Sequence, residues 1–180
     1  MSLQTIKNIL QLNDNYDLHL ARLLILIKIL AGEKRSEIKG ITKLVKLDFL
    51  LRYPTVLDYA LKKEGISKDV KIKSHEKNSV ESKMVRFRYG PWDHRYYQYL
   101  AILESKGLID VKKENSAIII TITENGNDVS EKLFNLEEFV YRSKIINDTF
   151  GKLSATKLKE MMYELIPELH DMKFGEAINP

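Results

Sequence analysis

The residues best suited to specific contacts lie close together in residues 83–99. This segment, KMVRFRYGPWDHRYYQY, interleaves three arginines with six aromatic residues, among them the only tryptophan of the chain. Arginine supplies charge and planar hydrogen bonding, and aromatic rings supply large contact areas at low entropic cost, so both are enriched at protein interfaces and on nucleic-acid surfaces. The segment therefore predicts a binding surface. The alternative for Phe87, Tyr96 and Tyr99 is burial in the core.

Residue patterns that carry catalysis do not occur in this sequence. The eight glycines are scattered and form no phosphate-cradling loop, while Glu137 and Glu138 are adjacent and would point in different directions on a helix. The four histidines lie far apart, and the absence of cysteine excludes disulfides, thiolate zinc sites and a cysteine nucleophile. The sequence therefore predicts a protein that is not an enzyme and that uses no cofactor, metal or small-molecule substrate.

The composition is typical of a folded, soluble chain. With 180 residues, 44% of them hydrophobic, it fits one domain with an appendage. The N-terminus shows no secretory pattern, and the most apolar stretch, residues 18–31, is interrupted by Arg22 and Lys28 and is too short to span a bilayer. We therefore expect a cytoplasmic protein without membrane association.

The charge is unevenly distributed although the net value is only +4. Residues 62–99 carry ten Lys or Arg against five Asp or Glu, whereas residues 123–180 carry seven against eleven. The basic middle of the chain could attract either phosphate or an acidic protein surface.

Hydrophobic periodicity predicts a mainly α fold with a small β part. We expect a short helix over residues 1–12, turn chemistry at residues 13–15, an almost wholly apolar helix at 17–31, a helix in the stretch ITKLVKLDFLLRYP that ends at Pro54, and a short helix at 55–63. A polar loop over 66–82 leads to a strand at 84–89. Gly90-Pro91 then predicts a helix that begins at Trp92 and ends at Gly107.

A hairpin and further helices complete the predicted elements. Residues 108–113 and 118–123 form the hairpin, and Thr123 caps the following helix. Two amphipathic helices, separated by Gly151 and closed by Pro167, form the C-terminal part and either complete the core or dock a partner.

This order of elements is that of a winged helix-turn-helix domain, with the hairpin as the wing. We expect an N-terminal arm or helix at 1–15, the winged domain at 16–135, and a helical extension packed on it at 136–180. The helix in the recognition position would expose Asp93 and Arg95, and the wing would present Lys112 and Lys113. Because Trp92 is bulky and Asp93 would repel phosphate, this helix favours contact with protein over base reading.

The predicted helix that ends at Pro54 carries a second group of candidate residues. Asp48 and Arg52 stand four apart in the order that favours a helix ion pair. Lys43 and Lys46 share a face near the helix start, where cations gain nothing from the helix dipole, so either an external partner or solvent must account for them.

Three stretches resemble a known family. GITKLVKLDFLLRYP (residues 40–54), MVRFRYGPWDHRYYQYL (residues 84–100) and the following LESKGLI are similar to the middle component of prokaryotic ABC-three-component systems, the Lamassu-like anti-phage defence cassettes. The resemblance implies a non-catalytic accessory subunit that joins a Rad50- or SMC-like ABC ATPase to an effector, often a nuclease. It also implies that the subunit restrains the effector until foreign DNA is sensed.

From the motifs and the resemblance together, we assign candidate contact residues. The candidate partner interface comprises Lys43, Lys46, Asp48, Arg52, Trp92, Asp93, Tyr96 and Tyr97. The candidates for contact with nucleic acid or an acidic surface are Arg86, Arg88, Arg95, Lys112 and Lys113. Two alternatives stay open: a dimeric DNA-binding transcriptional regulator, and an inhibitor that blocks one enzyme in the manner of an antitoxin.

Overall fold

The computed structural model describes residues 3–34, 36–73 and 84–178, with side chains described from residue 16 onward. Within these residues the chain forms seven α-helices and five short strands, which confirms the prediction of a mainly helical fold with a small β part. The elements are, in chain order, α1 (Leu3–Ala31), β1 (Ile38–Lys39), α2 (Ile41–Arg52), α3 (Pro54–Lys63), β2 (Val85–Phe87), β3 (Gly90–Trp92), α4 (Tyr96–Ser105), β4 (Ile109–Glu114), β5 (Ala117–Ile122), α5 (Glu124–Lys132), α6 (Glu137–Phe150) and α7 (Ala155–Leu165). A short 3-10 helix, Pro167–His170, follows α7. No helix in the described part of the chain is both long and apolar enough to cross a membrane.

Helix α1 lies at the centre of a single apolar core. Its residues 23–27 are all buried, because α5, α6 and β5 pack around it on different sides. Helix α2 is buried between α6, α7 and β3. Ile146 and Phe150 of α6 and Leu158 and Met162 of α7 belong to the same cluster as the α1 and α2 side chains. The two C-terminal helices therefore contribute directly to the core.

The larger sheet has three antiparallel strands in the order β1-β5-β4. Strands β4 and β5 form the predicted hairpin, with Ile109 opposite Ile122. Asn115 at its tip takes a φ of +54°, a conformation that Asn adopts more readily than most residues. Thr123 caps α5 as predicted, because its hydroxyl oxygen accepts a hydrogen bond from the Gly126 amide. Helix α4 leads directly into this hairpin, an arrangement compatible with a winged helix-turn-helix domain.

The N-terminal helix is longer than the sequence predicts. Helix α1 continues through residues 13–15, where we expected a turn. Asn and Asp are only moderately unfavourable in a helix interior, costing roughly 0.7 kcal/mol or less per residue, and the tightly packed second half of α1 nucleates the helix. The predicted loop at 66–82 has no regular structure over residues 66–73, and its remaining residues lie outside the described part of the chain.

The Gly90-Pro91 step forms a strand, and the prediction that it starts a helix is wrong. Gly90 has a φ of +100°, which lets the chain reverse and pair β3 with β2, and Pro91 lies opposite Arg86 in that pairing. Helix α4 begins four residues later than predicted, at Tyr96. Asp93 supports this later start, because its carboxylate accepts a hydrogen bond from the Arg95 amide at 3.0 Å.

Candidate partner-binding site

The predicted contact residues divide into three groups by exposure. Six are buried, at 0 to 8% exposure: Lys46, Asp48, Arg52, Trp92, Asp93 and Tyr96. Three are partly buried (Lys43, Arg86 and Arg95), and four are exposed (Arg88, Tyr97, Lys112 and Lys113). The expectation that the first group stands on an exposed face is wrong, because α2 and the start of α4 lie inside the fold.

Asp48 is the centre of the first of two buried charge networks. Its oxygens accept hydrogen bonds from Arg22 Nε at 2.9 Å and Nη2 at 3.1 Å, and the Tyr96 hydroxyl donates to the same carboxylate. Burial by itself would raise the pKa of Asp48, but the Arg22 charge and these hydrogen bonds outweigh burial and lower it. Asp48 is therefore ionised and links α2 to α1 and α4.

His19 extends this network along α1. Its Nδ1 lies 2.9 Å from Arg22 Nη1. Burial, reinforced by the Arg22 charge, lowers the pKa of His19 to about 3, so the ring is neutral at physiological pH. Because a guanidinium can only donate, Nδ1 is the acceptor in this hydrogen bond.

Asp93 is the centre of the second network. Its Oδ2 accepts from Arg52 Nη1 at 3.2 Å and from Arg95 Nη2 at 2.6 Å. Burial opposes ionisation of Asp93, but the Arg95 hydrogen bonds and the positive charges of Arg95 and Arg52 prevail and lower its pKa to about 2. Thus Asp48 pairs with α1 and Arg52 pairs with the loop after β3, so both members of the predicted helix pair have partners on other elements.

Lys43 has a partner within the chain. Its Nζ donates to the Gly151 carbonyl at 2.6 Å, at the C-terminal end of α6, where a positive charge is favourable. We expected Lys43 to contact an external partner or solvent, and this prediction is wrong. The hydrogen bond of Lys43 links α2 to the end of α6.

Lys46 is buried without a partner. Only 1% of the residue is exposed, and it makes no hydrogen bond or ion pair with any described residue. Burial, with a smaller contribution from the charge of Lys159, lowers the pKa of Lys46 to about 8. Its side chain lines a small pocket between the start of α2 and the β2–β3 hairpin.

Four exposed aromatic residues surround the β2–β3 hairpin, and we call them the aromatic face: Phe87, Tyr89, Tyr97 and Phe174, which are 38 to 65% exposed. The Phe87 ring lies 6.0 Å from that of Trp92 and 6.1 Å from that of Phe174. Tyr97 also lies near Trp92, with 5.8 Å between ring centroids. Trp92 is thus the buried base of an exposed aromatic surface.

Arg86 holds the C-terminal segment against this hairpin. The Arg86 backbone exchanges hydrogen bonds with Gly175 and Glu176, each at 2.8 Å. Its guanidinium lies 4.3 Å from the ring centroid of Phe174, and its Nε donates to the Leu169 carbonyl at 3.2 Å. Arg86 therefore positions Phe174, a residue of the face that sequence reasoning missed because no local pattern marks it.

The cations predicted to touch nucleic acid lie on different elements of the fold. Lys112 and Lys113 are exposed on β4, and Arg88 is exposed at the turn of the β2–β3 hairpin. Arg95 is engaged with Asp93, and its guanidinium lies 5.9 Å from the Tyr99 ring centroid. Helix α4, YYQYLAILES, contains no Lys or Arg at all.

The described residues include no cluster of three or more His, Cys, Asp or Glu that could hold a metal ion. The exposed aromatic residues and the pocket that Lys46 lines form an aromatic surface with a basic pocket beside it, which suits binding. No curated protein and no solved structure matches the chain. The model of the family described as ABC-three component (ABC-3C) system Middle Component 4 matches residues 29–162, which include α2, the β2–β3 hairpin, α4 and most of α7. The chain therefore belongs to the Middle Component 4 family of ABC-three component systems.

Proposed function

We propose that this chain is a non-catalytic accessory subunit of an anti-phage defence complex, where it bridges an SMC-like ABC ATPase and an effector, such as a nuclease. In this role it restrains the effector until foreign DNA is sensed. The observation that carries the proposal is the family membership over residues 29–162, because a middle component works with the other components of its system.

The exposed surface supports a protein-binding role. Aromatic residues and arginine are enriched at the energetic centres of protein interfaces, and here Phe87, Tyr89 and Tyr97 are exposed, as is Arg88, which lies between Phe87 and Tyr89 in sequence. The buried networks around Asp48 and Asp93 hold α1, α2 and α4 in fixed positions. A rigid support lowers the entropic cost of binding at this face.

Co-expression of the chain with the other components of its system tests the proposal. We expect an affinity tag on this chain to recover the ATPase and the effector together, and removal of the chain to separate the two. Expression of the effector alone should reduce cell survival more than expression of the effector with this chain. Recovery of the tagged chain only as a monomer or homodimer would overturn the proposal.

The surface of α4 gives no support to a transcriptional regulator. A recognition helix reads DNA through exposed donors and cations near its N-terminus. Here Tyr96 is buried, Arg95 is paired with Asp93, and α4 itself has no cation. We propose only an auxiliary DNA contact through Lys112 and Lys113, and the double change Lys112→Glu with Lys113→Glu should weaken DNA binding by the complex in a gel-shift assay.

A further inference from the structure

The pocket beside Lys46 is small and opens at the aromatic face. Its volume is about 110 Å³. Thr42 and Lys46 of α2 form one side, and Phe87, Tyr89 and Trp92 of the β2–β3 hairpin form much of the other. A second, shallower pocket continues from Thr42 and Tyr89 to Lys159 on α7.

Lys46 differs from the other buried charged residues that the structure describes. Arg22, Asp48, Arg52 and Asp93 form the two networks, and Arg142 donates to the Val70 and Lys71 carbonyls. Lys46 is as deeply buried as these residues but makes no such contact. An unpaired buried cation is costly, because desolvation is not compensated by an opposite charge.

A buried donor without a hydrogen-bond partner also belongs to this pocket. Trp92 also lines it, and the Trp92 Nε1 group is buried without a hydrogen-bond partner. Among the residues that the structure describes, no Asp or Glu lines this pocket or the neighbouring one, whereas Lys159 adds a further positive charge nearby. Two donors and the positive potential of the described lining favour an anionic acceptor.

The size and walls of the pocket favour a carboxylate on an apolar stem. At about 110 Å³ the part of the cavity that Lys46 and Trp92 line is well below the roughly 300 Å³ at which pockets for small molecules begin, which favours a small group such as a carboxylate. Its apolar walls include Phe87 and Trp92 and suit the methylene groups of a side chain. The two oxygens of a carboxylate match the two donors of the pocket, Lys46 Nζ and Trp92 Nε1, that have no partner among the described residues.

We infer that the Lys46 pocket receives the carboxylate of a Glu or Asp side chain from a protein partner. The inserted carboxylate accepts hydrogen bonds from Lys46 Nζ and Trp92 Nε1, while Phe87, Tyr89 and Tyr97 surround the point of entry. This inference rests on the proposed function, since it needs a partner within the system. It adds the chemical group that the partner must supply.

Carbodiimide cross-linking of the co-expressed complex tests the inference directly. A carbodiimide condenses a lysine amine with a carboxylate that touches it, and mass spectrometry then identifies the joined peptides. We expect the Lys46 peptide to be joined to an acid-bearing peptide of a partner component. A cross-link from Lys46 to this same chain, or no cross-link at Lys46 in an assembled complex, would overturn the inference.

Affinity measurements with matched variants provide the second arm. Lys46→Met should raise the dissociation constant of the partner by about 30-fold or more, the effect of removing one member of a buried charge pair. Lys62→Met, at a lysine whose side chain is 70% exposed and lies outside the pocket, should leave it within about twofold. An unchanged dissociation constant for Lys46→Met contradicts the inference even though the complex forms.

The remaining outcomes separate the inference from the proposed function. If the wild-type chain recovers no component of its system, the proposed function fails and the inference fails with it. If inorganic phosphate at millimolar concentration binds the wild-type chain, as measured by calorimetry, and not Lys46→Met, the ligand is a phosphate and the carboxylate inference is overturned. Partner binding by the wild-type chain would still support the proposed function in that case.

Discussion

Replacement of Lys46 by methionine should stabilise the isolated chain at neutral pH. Methionine has a similar length and is unbranched, so it can fill the same space without the charge. The pKa of Lys46 is lowered from 10.5 to about 8 by burial and by Lys159. Because one pKa unit corresponds to about 1.4 kcal/mol, the charged form of Lys46 lowers the free energy of unfolding by roughly 3 kcal/mol at pH 7.

The pH dependence identifies the charge as the cause. Between about pH 8 and pH 10.5 the unfolded chain keeps a proton on Lys46 that the folded chain has released, so rising pH stabilises the wild-type protein. The advantage of Lys46→Met is therefore full below about pH 8, shrinks as the pH rises, and nearly disappears above 10.5. Urea unfolding of both proteins from pH 7 to pH 10.5, followed by circular dichroism, measures this difference while other titrating groups cancel.

Lys62→Met is the control, because the Lys62 side chain is 70% exposed and pairs only at the surface with Asp58. We expect it to change the free energy of unfolding by less than about 0.5 kcal/mol at any of these pH values. A loss of stability in Lys46→Met at pH 7 would refute the reasoning, because it would mean that Lys46 has a favourable partner in the free chain. A gain that does not vary with pH would trace the effect to packing instead of charge.

Four further predictions concern the networks and the aromatic face. Asp48→Asn leaves Arg22 without its opposite charge and should lower the free energy of unfolding by about 3 to 5 kcal/mol in urea; a change below 1 kcal/mol would contradict a buried pair. His19 has a folded-state pKa of about 3, so between about pH 6 and pH 3 only the unfolded chain binds a proton at this residue. The free energy of unfolding of the wild-type chain should therefore fall by about 1.4 kcal/mol for each unit that the pH is lowered in this range. His19→Gln should remove that part of the pH dependence. Trp92→Ala should cost about 3 to 5 kcal/mol because Trp92 is core. Tyr97→Ala should leave the melting temperature nearly unchanged yet weaken recovery of the partner components, and an unchanged recovery would remove Tyr97 from the interface.

The parts of the fold that local sequence determines were predictable. The β4–β5 hairpin follows from alternating apolar residues on both sides of a polar tip, and Thr123 caps α5 through a hydrogen bond to an amide three residues away. Gly107 ends α4 with a φ of +66°, which glycine adopts without steric cost. In each case the residues that interact are close in sequence, so their spacing contains the necessary information.

The partners of the charged residues could not be predicted in the same way. Lys43 binds the carbonyl of Gly151, which is 108 positions away, and Asp48 binds Arg22, which is 26 positions away. Helical spacing reveals only neighbours on one helix, so it suggested Arg52 for Asp48. Arg22 did carry a signal, because a charge inside an otherwise apolar helix must find a buried partner. That signal does not say which carboxylate provides the pairing.

The buried charged residues fall into two classes: those that are paired and stabilise the fold, and Lys46, which we assign to binding. Two buried ion pairs, Arg22–Asp48 and Arg52–Asp93, belong to the first class, because loss of one member would leave the other charge buried without its partner. These pairs hold in place the helices that carry the aromatic face. Lys46 on α2 has no such match among the described residues. Stability alone would favour an apolar residue at that position, and natural proteins break such rules mainly where function requires it. Because Lys46 is already desolvated in the free chain, a carboxylate that binds it does not incur that cost again. Lys46 therefore lowers the stability of the free chain but would raise the affinity of the assembled complex.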